Sequence, residues 1–238
     1  MISFGIDELI IQNPAWKSKR IGLVTNDAAT TNTGILSRTA LVQAGFTIVC
    51  LFTPEHGISA KAPDGEAQQN SMDTITGLPI ISLYGNKCMP TAQDLENIDL
   101  LLFDIPDIGA RFYTYLWTLT YVLEACAINK KKCIVLDRPN PVSGNFDAAE
   151  GPFLEESSSS FIGRWNIPIK HSCTLGELAL YFNGTKNIGA NLTVIPVKNW
   201  DRDSFVSAWG TDFVPTSPAI QNPNSMLLYP GLCLLEAT

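Results

Sequence analysis

Residues 99–111 read DLLLFDIPDIGAR, an uninterrupted apolar run followed directly by Asp104, Asp107, Gly109 and Arg111. Such a run is typical of a parallel β-strand that is buried on both faces of its sheet. The polar residues then lie at the carboxyl end of the strand, which is where open parallel α/β sheets bind ligands. The stretch therefore predicts an α/β fold and also the edge of that fold at which a site is expected.

The same pattern, a short apolar run that ends in polar residues, occurs at four other places in the chain. The runs span residues 21–25, 47–52, 79–83 and 133–136. Their polar ends are Asn26-Asp27, Pro54-Glu55-His56-Gly57, Tyr84-Gly85 and Asp137-Arg138-Pro139-Asn140-Pro141. Because the carboxyl ends of parallel strands share one edge of a sheet, we expect these clusters to converge and to form an enzyme site rich in carboxylates.

Helical segments separate the predicted strands. Apolar spacing and end signals predict helices over residues 2–11, 35–44, 91–97, 113–128, 174–182 and 201–209, and a sixth strand over residues 192–197. This alternation predicts an α/β fold with a Rossmann-like, open and mostly parallel sheet that carries helices on both faces, in three layers. Residues 58–76 are predicted to form a long loop, and residues 211–238 a Pro- and Asn-rich tail that becomes apolar.

The composition is that of a globular chain. With 238 residues, of which 45% are hydrophobic and 16% charged, the chain is long enough to bury a sizeable core. The net charge of -7 and the lack of a basic block longer than Lys130-Lys131-Lys132 argue against a nucleic-acid partner. No segment approaches the roughly 20 apolar residues of a membrane span, and residues 1–11 do not resemble a signal peptide.

Metal ions and nucleotide cofactors are not expected from the motifs. The six cysteines form no C-x-x-C pair and the only histidines are His56 and His171, so no zinc site is predicted. Cysteines inside apolar runs favour buried free thiols over disulfides. The chain also lacks a G-x-G-x-x-G fingerprint, a Walker loop and a G-x-S-x-G elbow. Of the chemistries considered, catalysis by carboxylates on an open α/β sheet is the one that these motifs do not exclude.

Each polar cluster has a structural as well as a functional interpretation. A partly buried Glu55 can act as a general acid or base, or it can cap the next helix while His56 makes a structural hydrogen bond. Arg111 can clamp a substrate carboxylate or pair with an aspartate of its own loop. Both alternatives stay open for both clusters.

The loop at residues 137–141 and the aromatic residues after Arg111 have the same two interpretations. Two prolines stiffen the loop, which suits placement of Asp137 and Asn140 for substrate binding. Alternatively, Asp137 pairs with Arg138 or Arg111 and the loop is structural. Tyr113 can stack on a sugar or anchor its helix.

Seven phrases of the sequence, taken in order, resemble a known protein family. They are Gly5-Ile6-Asp7, Gly22-Leu23-Val24-Thr25-Asn26, Pro54-Glu55-His56-Gly57, the phrase from Asp104 to Tyr115, Leu136-Asp137-Arg138-Pro139-Asn140-Pro141, Glu150-Gly151-Pro152 and Tyr229-Pro230-Gly231. The series resembles the NamZ-type exo-β-N-acetylmuramidase family, long catalogued as a domain of unknown function. The resemblance spans nearly the whole chain, and the phrase from Asp104 to Tyr115 is its most specific part.

The resemblance implies a glycosidase of peptidoglycan turnover that releases N-acetylmuramic acid from the non-reducing end of cell-wall fragments, with no metal or organic cofactor. It places the catalytic glutamate at Glu55, which would protonate the leaving oxygen. We expect Asp104 or Asp107, and otherwise Asp137, to be the second carboxylate, unless the 2-acetamido group of the substrate assists. Arg111 is expected to bind the lactyl carboxylate of the sugar. The expected substrate-binding residues are Asn26, His56, Gly57, Arg111, Tyr113, Asp137, Arg138 and Asn140.

The resemblance also implies a second domain, because family members continue well beyond the phrase at residues 229–231 and hold their active site in the cleft between two domains. Residues 1–225 are therefore expected to form the Rossmann-like catalytic domain, and residues 226–238 the start of a mostly missing C-terminal domain. The missing domain, or an oligomer partner, would cover an apolar surface. Family members are commonly exported, which contrasts with the lack of a leader in this sequence.

Two other functions remain open at this point. The first is a non-catalytic module that binds cell-wall sugars on the same sheet. The second is a nucleotide-dependent enzyme with a Rossmann-like sheet, against which the missing glycine fingerprint argues.

Overall fold

The computed structural model describes residues 1–235 and contains one open, seven-stranded sheet. In spatial order the strands are β3-β4-β2-β1-β5-β6-β7. Only β3, which pairs with β4, is antiparallel among the strands of the described chain. The strands are β1 (Ile21–Val24), β2 (Ile48–Thr53), β3 (Ser71–Met72), β4 (Pro79–Ser82), β5 (Leu100–Phe103), β6 (Lys132–Leu136) and β7 (Asn191–Ile195).

The connectivity is that of a Rossmann-like sheet. Counted along the chain, the six parallel strands have the spatial order 3-2-1-4-5-6, with β1 and β5 at the centre. The direction of winding reverses between these two strands. Their carboxyl ends therefore flank the crevice where such sheets bind ligands.

Residues 1–235 contain six α-helices. They are α1 (Gly5–Gln12), α2 (Ser37–Gln43), α3 (Ala92–Leu95), α4 (Tyr115–Ile128), α5 (Leu175–Thr185) and α6 (Pro223–Leu232). One apolar core joins α4 and α5 to the sheet, and a second joins α1 and α2 to its opposite face. The result is three layers, and the predicted fold class is confirmed.

The strand β5 shows why the sequence at residues 99–103 is continuously apolar. Leu101 and Phe103 belong to the core under α4 and α5, whereas Leu100 and Leu102 belong to the core under α1 and α2. Side chains alternate between the two faces of a strand, so a strand with helices on both faces needs apolar residues at every position.

Two predictions of local structure are wrong. Residues 201–209 do not form an α-helix but a loop with one 3₁₀ turn at Val206–Ala208. There the Asp201 side chain accepts from the backbone N–H of Asp203, and Phe205 forms a β-bridge with Val142, so local and long-range hydrogen bonds both replace a helix. The predicted loop at 58–76 also contains the short edge strand β3.

The tail contains α6, which the sequence analysis did not predict. Asn222 caps the helix by accepting from the backbone N–H of Ser225, and Pro223 occupies its first turn. The domain boundary expected between residues 225 and 226 falls inside this helix. The expected C-terminal segment, residues 226–238, ends in residues 236–238, which lie outside the described residues. Met226 is buried, but about half of the surface of Leu227 and Leu228 is exposed.

None of the helices in residues 1–235 has the length and apolar character needed to cross a bilayer.

Candidate active site

The loops that follow β1, β2, β5 and β6 meet at the carboxyl edge of the sheet, as the strand pattern predicts. They do not form one pocket. A cleft of about 150 Å³ lies around Glu55, and we call it the Glu55 cleft. A second cavity, the switch-point cavity, lies between the ends of β1 and β5 and is lined by residues that include Ala28 and Asp107.

Glu55 follows β2 and is 8% exposed. Its Oε2 accepts a hydrogen bond of 2.8 Å from the Thr114 hydroxyl, and its Oε1 accepts one of 3.2 Å from the backbone N–H of Gly65. Both bonds come from residues distant in sequence, so the carboxylate is held in a defined orientation. A buried and oriented carboxylate in a cleft is the arrangement expected of an acid–base group.

The backbone turns sharply directly after Glu55. His56 and Gly57 both have positive φ values, 67° and 68°. A left-handed conformation is unfavourable for a histidine, so the surrounding structure holds it in place. Both Glu55 and His56 line the cleft.

The His56 ring connects the Glu55 cleft to the long loop that follows. Its Nδ1 lies 2.8 Å from the carbonyl oxygen of Ala62. Because a carbonyl oxygen only accepts, Nδ1 carries a proton. Nε2 faces the Asp64 carboxylate at 3.6 Å, and Asp64 is largely exposed and lines the cleft. The sequence analysis placed residue 64 in a long loop but did not single out this carboxylate.

Two tyrosines extend the wall near Glu55. Burial, helped by the adjacent Glu55 carboxylate, raises the pKa of the Tyr84 phenol to about 12. Burial also raises the pKa of Tyr113, which lines the cleft. Both phenols therefore remain protonated at neutral pH.

Asp104 does not line the Glu55 cleft. It is fully buried and forms a two-point ion pair with Arg138, with an Nε–Oδ1 distance of 2.6 Å and an Nη2–Oδ2 distance of 3.1 Å. Arg138 also donates to the Thr30 carbonyl oxygen. The pair ties the end of β5 to the end of β6, and in this structure it holds Asp104, one of the expected second carboxylates, outside the Glu55 cleft.

Asp107 also lies outside the Glu55 cleft and borders the switch-point cavity. Its Oδ2 accepts from the backbone N–H of Gly109 at 3.0 Å and lies 3.1 Å from His171 Nε2. His171 Nδ1 accepts from the backbone N–H of Cys173, so Nε2 carries the proton that faces Asp107. Asp107 and His171 therefore join two loops.

Asp137 sits at the N-terminus of α5. It accepts from the Thr174 hydroxyl and from the backbone N–H groups of Gly176 and Arg138, at 2.7–3.0 Å. Gly176 permits this approach, because an added Cβ would lie 2.6 Å from the carboxyl carbon. Burial nevertheless raises the pKa of Asp137 to about 6. Its partners are thus backbone and hydroxyl groups, mostly at the α5 N-terminus, and not the arginine side chains of the structural alternative.

Three further predicted site residues hold loops together. Arg111 Nη1 donates to the carbonyl oxygens of Pro152 and Ile167 at 2.8 and 2.6 Å. Asn140 donates to the Cys173 carbonyl oxygen. Asn26 donates to the Tyr115 hydroxyl. In the described chain none of Arg111, Asn140 and Asn26 lines the Glu55 cleft.

The cysteines and the other residue types that can bind metals form neither disulfides nor a metal-binding cluster within residues 1–235. All six cysteines are free thiols, and three of them are buried. That part of the chain contains no group of three or more His, Cys, Asp or Glu side chains arranged to hold a metal ion.

The chain is similar to known proteins in sequence and in fold. Residues 21–224 match the family model described as exo-beta-N-acetylmuramidase NamZ, N-terminal. The chain is 41% identical over 240 residues to the peptidoglycan beta-N-acetylmuramidase NamZ of Bacillus subtilis (strain 168), and the match covers 100% of this chain and 57% of that protein.

Two solved structures, both of DUF1343 family proteins from Bacteroides fragilis NCTC 9343, have the same fold. One has a TM-score of 0.88 and 38% identity, with coverage of 98% of this chain and 60% of the other. The second has a TM-score of 0.83 and 33% identity, with coverage of 100% and 62%. The chain thus spans roughly three fifths of the length of these relatives.

Proposed function

The chain belongs to the NamZ exo-β-N-acetylmuramidase family, and we propose that it forms the Rossmann-like catalytic part of a glycosidase of peptidoglycan turnover. The substrate would be a cell-wall fragment with N-acetylmuramic acid at its non-reducing end, and the product free N-acetylmuramic acid. The single observation that carries the proposal is the buried Glu55 carboxylate, fixed by Thr114 and Gly65 inside a cleft at the ligand-binding edge of the sheet.

In the proposed reaction Glu55 acts as the general acid. It donates its proton to the glycosidic oxygen as the bond to the anomeric carbon breaks, and positive charge develops on the sugar ring. Glu55 is buried, and the cleft that it lines also contains the apolar and aromatic side chains of Ile162 and Phe112. Burial of the carboxylate strengthens its interaction with the developing charge.

The second participant in the proposed reaction is a carboxylate of the cleft or a group of the substrate. Asp104 is held in its ion pair and Asp107 borders the neighbouring cavity, so neither carboxylate reaches the Glu55 cleft in this structure. Among the described residues that line the cleft, Asp64 is the carboxylate besides Glu55. We therefore propose that either Asp64 activates the attacking water or the 2-acetamido group of the substrate assists.

A substitution of Glu55 in the full-length protein tests the proposal. Glu55→Gln keeps the size of the side chain but removes the transferable proton, so we expect it to abolish release of N-acetylmuramic acid from a defined disaccharide. Glu66→Gln, an exposed position of the following loop, is the matched control and should keep wild-type turnover. Near-normal turnover by a folded Glu55→Gln protein would remove Glu55 from the mechanism. Sugar binding without any hydrolysis by the wild type would instead favour the non-catalytic module.

A further inference from the structure

The residue Thr114 occupies the N-cap of α4 but does not cap it. An N-cap threonine normally accepts a hydrogen bond from a backbone N–H in the first turn of its helix. Thr91 and Thr174 do this at α3 and α5, accepting from Asp94 and Glu177. No such bond forms at Thr114. The helix therefore gives up a stabilising contact at this position.

The Thr114 hydroxyl donates instead to Oε2 of Glu55, 59 residues earlier in the chain, at 2.8 Å. Both side chains are buried, with 7% and 8% of their surface exposed. The position of the donor is fixed by the helix, because the Thr114 carbonyl oxygen accepts from the backbone N–H of Thr118. A hydrogen bond to a carboxylate in a buried setting is strong and geometrically specific.

The two oxygens of Glu55 are held by different kinds of structure. Oε2 is bonded to Thr114 at the start of the 14-residue helix α4, which packs in the core. Oε1 is bonded at 3.2 Å to the backbone N–H of Gly65, which is exposed and lies in the loop that also carries Asp64. A loop contact of this length is more easily displaced by a substrate than a bond from a buried helix end.

We propose that Thr114 is the positioning residue of the catalytic acid and that Oε1 is the oxygen of Glu55 that transfers the proton. This inference rests on the proposed function. The proton moves from Oε1 to the glycosidic oxygen, which also receives the electron pair of the broken bond. The ionised Glu55 keeps the hydrogen bond from Thr114 at Oε2. A water molecule then adds to the anomeric carbon and gives up the proton that restores Glu55.

The experiment compares Thr114→Val, Thr114→Ser and Thr91→Val in the full-length protein, with a chromogenic N-acetylmuramic acid glycoside as substrate. Thr114→Val keeps the shape of the side chain but removes the donor, so we expect kcat to fall about 10- to 100-fold while KM stays within about twofold. Thr114→Ser keeps a hydroxyl and should restore most of kcat. Thr91→Val removes a true helix cap and should leave both constants unchanged.

The pH profile separates positioning from a purely structural role. A hydrogen bond donated to a carboxylate favours its ionised form. Without the Thr114 donor, the alkaline limb of kcat/KM against pH should therefore move to higher pH. Thr91→Val should not move that limb.

Three outcomes would overturn the inference: wild-type kcat in Thr114→Val, equal impairment of Thr114→Ser and Thr114→Val, or an unmoved alkaline limb in a folded Thr114→Val protein. Failure of the proposed function is distinguishable, because it would show as full turnover by Glu55→Gln or as no hydrolysis by the wild type. In both of these cases Thr114 has no catalytic acid to position and the inference fails with the proposed function. Failure of the inference alone leaves the wild type active and Glu55→Gln inactive. Thermal melting of each variant checks that the protein is folded.

Discussion

The Asp104 carboxylate and the Arg138 guanidinium form a buried, two-point ion pair at the centre of the sheet edge, with N–O distances of 2.6 and 3.1 Å. The pair connects the ends of β5 and β6, and Arg138 lines the switch-point cavity. Breaking such a pair by removing one partner leaves an uncompensated buried charge, which is costly.

The first prediction concerns this ion pair. We expect Asp104→Asn to lower the free energy of unfolding by about 3 kcal/mol, measured by urea denaturation. Asp99→Asn is the control, because Asp99 pairs with Arg20 on the surface and its loss should lower the unfolding free energy far less than the loss of Asp104 does. If Asp104→Asn abolished turnover while the protein kept its wild-type stability, Asp104 would be catalytic after all.

The second prediction concerns the pH dependence of stability. Burial raises the pKa of Asp137 to about 6 in the folded protein, from an ordinary value of 3.8. Between these two values the folded state binds more protons than the unfolded state, so the Asp137 contribution to stability decreases as pH rises from about 4 to 6. The total loss is a few kcal/mol, and above pH 6 it is complete.

Asp137→Asn, which cannot titrate, isolates this contribution. The difference between the unfolding free energies of wild type and Asp137→Asn, measured at pH 4, 5, 6 and 7, should change across that range and then level off. A difference that is constant with pH would show that Asp137 has its ordinary pKa in the folded protein.

The sequence predicts the edge at which the site lies better than it predicts the contacts within it. Strand periodicity and parallel connectivity are local patterns, and they correctly place Glu55, Asp104, Asp107 and Asp137 on one edge. Side-chain pairing is a long-range property. Nothing near Asp104 indicates that its charge is neutralised by a residue 34 positions later, because Arg138 follows a different strand.

The helix α6 and the residues Thr114 and Asp64 were not predicted, because their local sequence indicates their roles only weakly. Asn222-Pro223 is a helix-start signal, but it lies in a tail whose proline content suggests irregular structure. Thr114 lies within the most specific phrase of the sequence. Its hydroxyl donates to Glu55, however, and the two residues come into contact only in the folded chain. Asp64 likewise faces His56 only through the course of the loop at residues 58–70.

The third prediction tests the tight turn after β5. Gly109 has a φ of 79°, and an added Cβ would lie 2.4 Å from Val142 Cγ2. Gly109→Ala therefore combines a left-handed backbone penalty with a steric clash, and we expect a loss of about 3 kcal/mol in the free energy of unfolding. Gly34→Ala is matched in φ, at 83°, but meets no atom within 4 Å, so it should cost only about 1 kcal/mol. Equal losses for the two variants would contradict the packing at Gly109.

The fourth prediction concerns Tyr84, whose hydroxyl lies beside Glu55 and whose pKa is raised to about 12 by burial and by that carboxylate. The phenol stays protonated at neutral pH, so it can donate to the carboxylate formed when Glu55 gives up its proton. Tyr84→Phe keeps the ring contact with Phe161, at a centroid distance of 5.5 Å, and removes only the hydroxyl. We expect kcat of the full-length protein to fall about tenfold, which corresponds to one lost hydrogen bond in the transition state.

Tyr121→Phe is the control, because Tyr121 stacks on the same Phe161 ring but does not line the Glu55 cleft. If both variants reduced kcat equally, the aromatic packing and not the Tyr84 hydroxyl would support catalysis.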